Sequence, residues 1–132
     1  MTSFILDANI WVSIILNGNI SILVEKVKGK RIELFSCKNL FTELEDVLNR
    51  PKIKKRLELT VEEYLLLFEI ITSHKEIVLR NKICTDPKDD YLFDLLESTD
   101  SDFLVTGDKG VLALKNDFQQ IISFNQFLQM IL

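Results

Sequence analysis

The chain opens on a short apolar run, Phe4-Ile5-Leu6, that stops at Asp7. It then turns apolar on every side from Ile10 to Leu16, until Asn17-Gly18 interrupts it. This pattern predicts a buried strand followed by a buried helix. Ile20, Leu23, Val24 and Val27 recur at helical spacing up to the charged stretch around Gly29, where a second helix ends. Ile32-Glu33-Leu34-Phe35-Ser36 is a second strand candidate, and Leu40, Leu44, Val47 and Leu48 mark a helix that closes before Pro51. Thr60 with Glu63 reads as a capping box, flanked by Leu59 and Tyr64 as a hydrophobic staple, and opens a helix reaching about His74. The third strand is expected from Glu76 to Leu79. A helix should start at Asp86-Pro87 and carry Leu92, Leu95 and Leu96, and the fourth and fifth strands fall at Phe103 to Thr106 and Gln120 to Ile122. Ser123 caps a last helix with Phe124, Phe127, Leu128 and Ile131 as its stripe.

Strands that alternate with helices and are apolar on both faces belong to a parallel sheet covered on both sides. The expected fold is therefore α/β, a three-layer α/β/α sandwich around a central parallel sheet of about five strands, with residues 1–132 as one domain. There is no internal repeat. Only the stretch from Arg50 to Arg56, rich in Lys around Pro51, shifts composition, and it is too short for a boundary.

Composition adds limits. Of 132 residues 47% are hydrophobic, and 20 acidic side chains face 16 basic ones, for a charge of -4. Such a chain buries an ordinary core and is not a disordered one. Asp7 breaks the early apolar run, which argues against a secretory leader. Cys37 and Cys84 are too few for a disulfide framework, so a cytoplasmic setting with reduced thiols is expected. No stretch approaches the ~20 apolar residues of a membrane span. The acidic balance counts against a passive nucleic-acid binder.

Local clusters alter that picture. Ligands of open parallel sheets sit beyond the carboxyl ends of the strands. Asp7 follows the first strand, Glu43 lies early in the helix after the second, Asp90 opens the helix after the third, and Asp108 stands just past Thr106 at the end of the fourth. Two charges ~4 Å apart repel by about 4 kcal/mol at an effective dielectric of 20, so such a cluster calls for a compensating cation. With His74 on a helix end elsewhere and neither cysteine in a ligand spacing, the donors are oxygens, which suit Mg²⁺ or Mn²⁺. Such ions activate a water and stabilise a phosphodiester under attack.

Capping of a helix N-terminus is the simpler account of any one of these acids. It weakens for the set, because Asn9, Thr85 and Thr106 stand nearby to cap without charge. On a helical wheel centred on Leu44, Asp46 points about 200° away while Glu43 and Glu45 flank the buried stripe. Glu43 is the nearer to the helix start. Asp86 precedes a proline and fits a cap, and Asp90, two before Leu92, is preferred to Asp89 as the residue lining the edge. Asp94 and Glu97 are expected on a solvated face. If the acids repel one another, replacing Asp90 by Asn should raise the melting temperature of the metal-free chain.

Together these residues resemble the PIN domain, a family of metal-dependent ribonucleases, and more narrowly the toxin components of prokaryotic toxin–antitoxin pairs. Phe4-Ile5-Leu6-Asp7-Ala8-Asn9-Ile10-Trp11 is similar to the family's strand, Asp-Thr-Asn and apolar helix. Phe41-Thr42-Glu43-Leu44 continuing to Lys52, then Asp86-Pro87-Lys88-Asp89-Asp90 and Leu104-Val105-Thr106-Gly107-Asp108-Lys109, resemble its later acidic motifs. The resemblance implies that Asp7, Glu43, Asp90 and Asp108 are catalytic and hold Mg²⁺ or Mn²⁺, with Asn9 and Thr106 as polar neighbours. It also implies an endoribonuclease acting on an RNA substrate through a metal-activated water, a homodimer, and a cognate antitoxin across the groove. Ala8 departs from the family's Thr, and Leu95 and Leu96 stand where small residues are commoner.

The cations nearest these motifs are Arg50, Lys52, Lys54, Lys55 and Arg56, with Lys88 and Lys109. They are candidates for the RNA backbone, or equally a solvated face. Trp11 is read as core or dimer contact rather than a base-stacking platform. A haloacid-dehalogenase-type phosphohydrolase would need a second Asp where Asn9 stands. A phosphoacceptor receiver would need acids that Asp7-Ala8-Asn9 and Leu79-Arg80-Asn81 do not supply. A catalytically weak PIN-like binding module stays open on account of Ala8.

Overall fold

The computed structural model describes all of residues 1–132. Five parallel strands, β1 (Thr2–Leu6), β2 (Ile32–Ser36), β3 (Thr72–His74), β4 (Phe103–Val105) and β5 (Ile121–Ile122), form one sheet in the order β3-β2-β1-β4-β5. Eight helices connect and flank them: α1 (Ala8–Leu16), α2 (Ile20–Lys28), α3 (Lys38–Leu48), α4 (Pro51–Lys54), α5 (Val61–Ile71), α6 (Tyr91–Thr99), α7 (Lys109–Leu112) and α8 (Phe124–Ile131). This is the expected α/β/α architecture. Parallel crossovers are right-handed, so the chain lays α1 to α5 on one face while moving from β1 to β3, and uses the other face on returning to β4.

The central strands are apolar on both sides for the reason the pattern suggested. Phe4, Ile5 and Leu6 are all buried, as are Leu104 and Val105. Trp11 of α1 packs edge-on against Phe68 of α5, with ring centroids 4.9 Å apart, and Phe41 of α3 tilts toward the same ring. Trp11 is only 1% exposed, which settles it as core. At the other end of the chain Phe127 meets Phe4 edge-on at 4.9 Å and ties α8 to the centre of the sheet. Asn17 and Gly18 end α1 as expected, the glycine at φ +74, where a side chain would be strained.

Three expectations need correction. The third strand is not Glu76 to Leu79. It is Thr72–His74, which follows α5 without a loop and pairs Leu34 with Thr72 and Ser36 with His74. A short polar edge strand shows no apolar alternation, while Val78 and Leu79, which suggested a strand, are 72% and 64% exposed. His74 accordingly ends a strand and not a helix. The helix expected from Asp86-Pro87 is preceded by a separate 3₁₀ turn over Pro87–Asp89, capped by Asp86, before α6 begins at Tyr91. The short helices α4 and α7 carried no signal long enough to register.

Both predicted caps form. Thr60 accepts from the Glu63 amide at 3.1 Å while the Glu63 carboxylate accepts from the Thr60 amide at 3.2 Å, and Ser123 and Gln126 repeat the arrangement at α8. Thr60→Ala should lower stability by about 1 kcal/mol in a urea titration, with little change in slope.

Candidate metal centre at the sheet's switch point

Strand order reverses between β1 and β4, which opens a crevice at their carboxyl ends. Asp7 enters it from β1. Its amide donates to the carbonyl of Val105 at 3.0 Å, so the residue is held in register with β4, and its side chain is 2% exposed. The Thr106 hydroxyl, also buried, donates to Asp7 Oδ2 at 2.9 Å and accepts from the Asp108 amide at 3.1 Å. Asp7 Oδ1 is buried with no hydrogen-bond partner. Asp108 caps the short α7, its Oδ1 accepting from the Val111 amide at 3.0 Å. A Cβ on Gly110 would lie 3.1 Å from that oxygen, so the glycine leaves room for the carboxylate.

Glu43 comes from α3, half-buried, while Glu45 and Asp46 on the same helix are exposed. Tyr91 at the start of α6 donates its phenol to Glu43 Oε2 at 2.7 Å. Burial, the hydrogen bond to Glu43 and its charge all push the phenol well above its ordinary range, so it remains a donor at neutral pH. Burial pushes the Asp7 carboxyl up from 3.8 to about 6 against the pull of Thr106, and the charges of Glu43 and Asp108 push it further the same way. These three acids are electrostatically in one place.

Asp90, the fourth acid expected from the sequence, is engaged by backbone amides. Asp90 Oδ1 accepts from the amides of Ile83 and Cys84 at 3.0 and 2.7 Å, and those bonds, above all the one from Cys84, hold its carboxyl below the usual range. Asp89 is instead pushed up to about 7, by burial first and then by Asp7, Asp108, Glu43 and Asp86. The carboxylate coupled to the other three is that of Asp89. The preference for Asp90 rested on its place two residues before Leu92, and residues 87 to 89 instead form a 3₁₀ turn, where side chains three apart eclipse and α-helical spacing does not apply. Asp86 and Asp89 share a side for that reason. The capping turn Asp86-Pro87 was the available signal.

Asp94 is a further correction. It is buried, not solvated, and its Oδ1 accepts from the amides of Arg80 and Asn81 and from Asn81 Nδ2. Glu97 is exposed as expected and lies 3.7 Å from Arg80. Asn9 is exposed at the site's edge. Among the cations, Lys88 and Lys109 are exposed beside Asp89 and Asp108 in sequence. Arg50 pairs with Asp46 at 3.2 Å, and Lys52 and Lys54 lie on α4 with Lys55 at its end. Cys37 is buried, and burial together with Asp90 pushes the Cys84 thiol up to about 12, so neither is a thiolate donor at neutral pH.

The family model of the PIN domain matches residues 3–110, most of the chain. The chain belongs to the PIN domain family. No curated protein and no solved structure matches it. PIN domains are typically nucleases and generally use divalent metals, Mg²⁺ or Mn²⁺. The residues of this PIN domain suit such an ion in kind: the donors are all oxygens, and one buried oxygen of Asp7 lacks any other partner. As they stand, no three acidic, histidine or cysteine side chains enclose an ion.

In the native state Asp7 and Asp89 retain protons that the unfolded chain has already released, between the ordinary value of 3.8 and about 6 to 7. Metal-free stability should therefore fall as pH rises through that window, on the order of 3 kcal/mol from Asp7 alone, and level off above it. Urea titrations in chelator across this range check it, and Asp7→Asn should flatten the slope. In the same buffer at neutral pH, Asp89→Asn should raise the melting temperature by relieving repulsion. Asp90→Ala should instead lower stability by about 1–3 kcal/mol, because two amides lose their acceptor. The rise expected from the sequence for Asp90→Asn loses its basis, because Asp90 is held by amides and not by repulsion.

Proposed function

We propose that the chain is a Mg²⁺- or Mn²⁺-dependent endoribonuclease whose metal is held by Asp7, Glu43, Asp89 and Asp108, with Asp90 as a supporting residue behind them. The observation that carries this reading is the buried, unpartnered Oδ1 of Asp7 at the switch point of a PIN domain, coupled to three further carboxylates. A divalent cation bound there supplies Lewis-acid polarisation of a water and of the phosphate oxygens of RNA. The chain's own residues supply position. Thr106, fixed by the Asp108 amide, directs its single proton at Asp7 and so favours the charged carboxylate. Tyr91 does the same for Glu43 from across the crevice. The hydroxyl missing at Ala8 has a counterpart in Thr106, which supports an active enzyme over a weak one.

The motif pattern extends the reading to the toxin of a toxin–antitoxin pair, acting in the cytoplasm as a homodimer, with an antitoxin segment across the groove. Leu66 and Ile70, 57% and 64% exposed one turn apart on α5, are apolar surface that a second copy would cover. No single helix is long and apolar enough to cross a membrane.

Incubating the purified chain with RNA pools tests the reading. Cleavage should require Mg²⁺ or Mn²⁺ and stop with chelator. Asp7→Asn and Asp89→Asn should each cut kcat/KM by at least about a hundredfold, and Thr106→Val by about 10–100-fold. Asp90→Asn should stay within about tenfold of the parent. Cleavage that survives chelation, or that is indifferent to Asp7→Asn, would overturn it.

A further inference from the structure

Between β3 and the 3₁₀ turn the chain runs as a strap without regular structure, and α6 pins it by two carboxylates one turn apart. Asp94 takes the amides of Arg80 and Asn81, and Asp90 takes those of Ile83 and Cys84. Between strap, α6 and the start of α3 lies an open cleft of about 530 Å³, lined by Arg80, Lys82 and Lys88 together with Asn39 and Tyr91. Its carboxylates are withdrawn: Asp94 is 4% exposed, and both it and Asp90 are occupied by amides. Its cations are available. Lys82 and Lys88 are exposed, and Arg80 is 70% exposed with only a long contact to Glu97. The cleft and the acidic crevice share a wall: Tyr91 lines the cleft and bonds Glu43 of the crevice, and Asn39, also in the lining, lies one helical turn before Glu43 on α3, while the four acids themselves lie outside the lining.

We propose that this cleft is the track of the RNA strand, with Arg80, Lys82 and Lys88 on the phosphates that flank the scissile one. A strand whose backbone must meet the acidic crevice needs positive charge beside it, and the strap supplies the Arg80 guanidinium and the Lys82 ammonium, with Lys88 of the following 3₁₀ turn adding a second ammonium. Asn39 adds a neutral donor and acceptor for ribose hydroxyls or base edges, and Asn81, its nitrogen held by Asp94 and Glu97, adds an amide oxygen. The α4 cations Lys52, Lys54 and Lys55, prominent in sequence, line no part of it. The inference rests on the nuclease reading for its choice of ligand and is tested separately from it.

Binding of a labelled single-stranded oligouridylate is followed by fluorescence anisotropy in Mg²⁺, using the full chain with Asp7→Asn to keep the RNA intact. Combining Arg80→Ala, Lys82→Ala and Lys88→Ala should weaken Kd at least about tenfold and reduce the slope of log K against log salt by about 2, as expected for three phosphate contacts on a single strand. Lys52→Ala, Lys54→Ala and Lys55→Ala together should change Kd less than about threefold. Should the triple strap variant fail to fold, Lys82→Glu and Lys88→Glu, each at an exposed side chain, should each weaken binding and leave the melt intact. Equal loss from the α4 set, no loss from the strap set, or no RNA binding by the Asp7→Asn chain overturns the proposal. Cleavage by the wild-type chain with unaltered binding by the strap variants would sink the track and leave the nuclease standing. RNA binding lost with the strap in a chain that never cleaves would do the reverse.

Discussion

The Thr106 hydroxyl has one hydrogen, and the geometry leaves it only one destination. The Asp108 amide occupies the oxygen from behind, so the proton goes to Asp7. That pair of bonds connects the residue after β1, the residue after β4 and the N-cap of α7, and it does so where strand order reverses. It is also why a carboxylate at 2% exposure is tolerated. Burial alone would drive Asp7 toward its neutral form, and the hydroxyl partly offsets that without filling the second oxygen. The core beneath, with Ile5, Leu104 and Val105 fully buried, fixes the strands tightly enough for a single hydrogen bond to matter.

Acidic residues of one type serve two purposes here, and the backbone decides which. Asp90 and Asp94, one turn apart, each collect amides from a strap that has no sheet or helix partners of its own. Asp89, adjacent to Asp90, collects none and carries the charge of its neighbours instead. A buried amide needs an acceptor, so the strap constrains two acids to structural work. Asp7, Glu43 and Asp89 take none of the strap's amides, and Asp108 accepts one elsewhere, from Val111 in α7.

Much of this was legible in the sequence, where a long-range pattern stood behind it. The central strands, the capping boxes at Thr60 and Ser123, and the placing of acids at strand ends all follow from periodicity and cap chemistry. Two kinds of feature were not legible. β3 is held by pairing to β2 and carries no hydrophobic alternation, so its Thr-Ser-His looks like a helix end. The choice between Asp89 and Asp90 turns on about a third of a turn of backbone, and a 3₁₀ segment before α6 changes the side on which each carboxylate falls. The burial of Asp94 depends on a strap whose course no local pattern specifies.

The net charge of -4 illustrates how position changes the meaning of composition. Counted along the chain, an acidic excess argues against a polyanionic ligand. Divided over the fold, the excess equals the four acids facing the crevice, a number that two divalent ions would neutralise. Two of the remaining acids are covered by amides, and the exposed Arg80, Lys82 and Lys88 line the cleft on the other side of Tyr91 from Glu43. A phosphodiester arriving there would meet ammonium and guanidinium groups before it met carboxylates. Since screening confines such fields to about 10 Å at moderate salt, it is this local sequence of charges, and not the total, that governs which ligand the edge accepts.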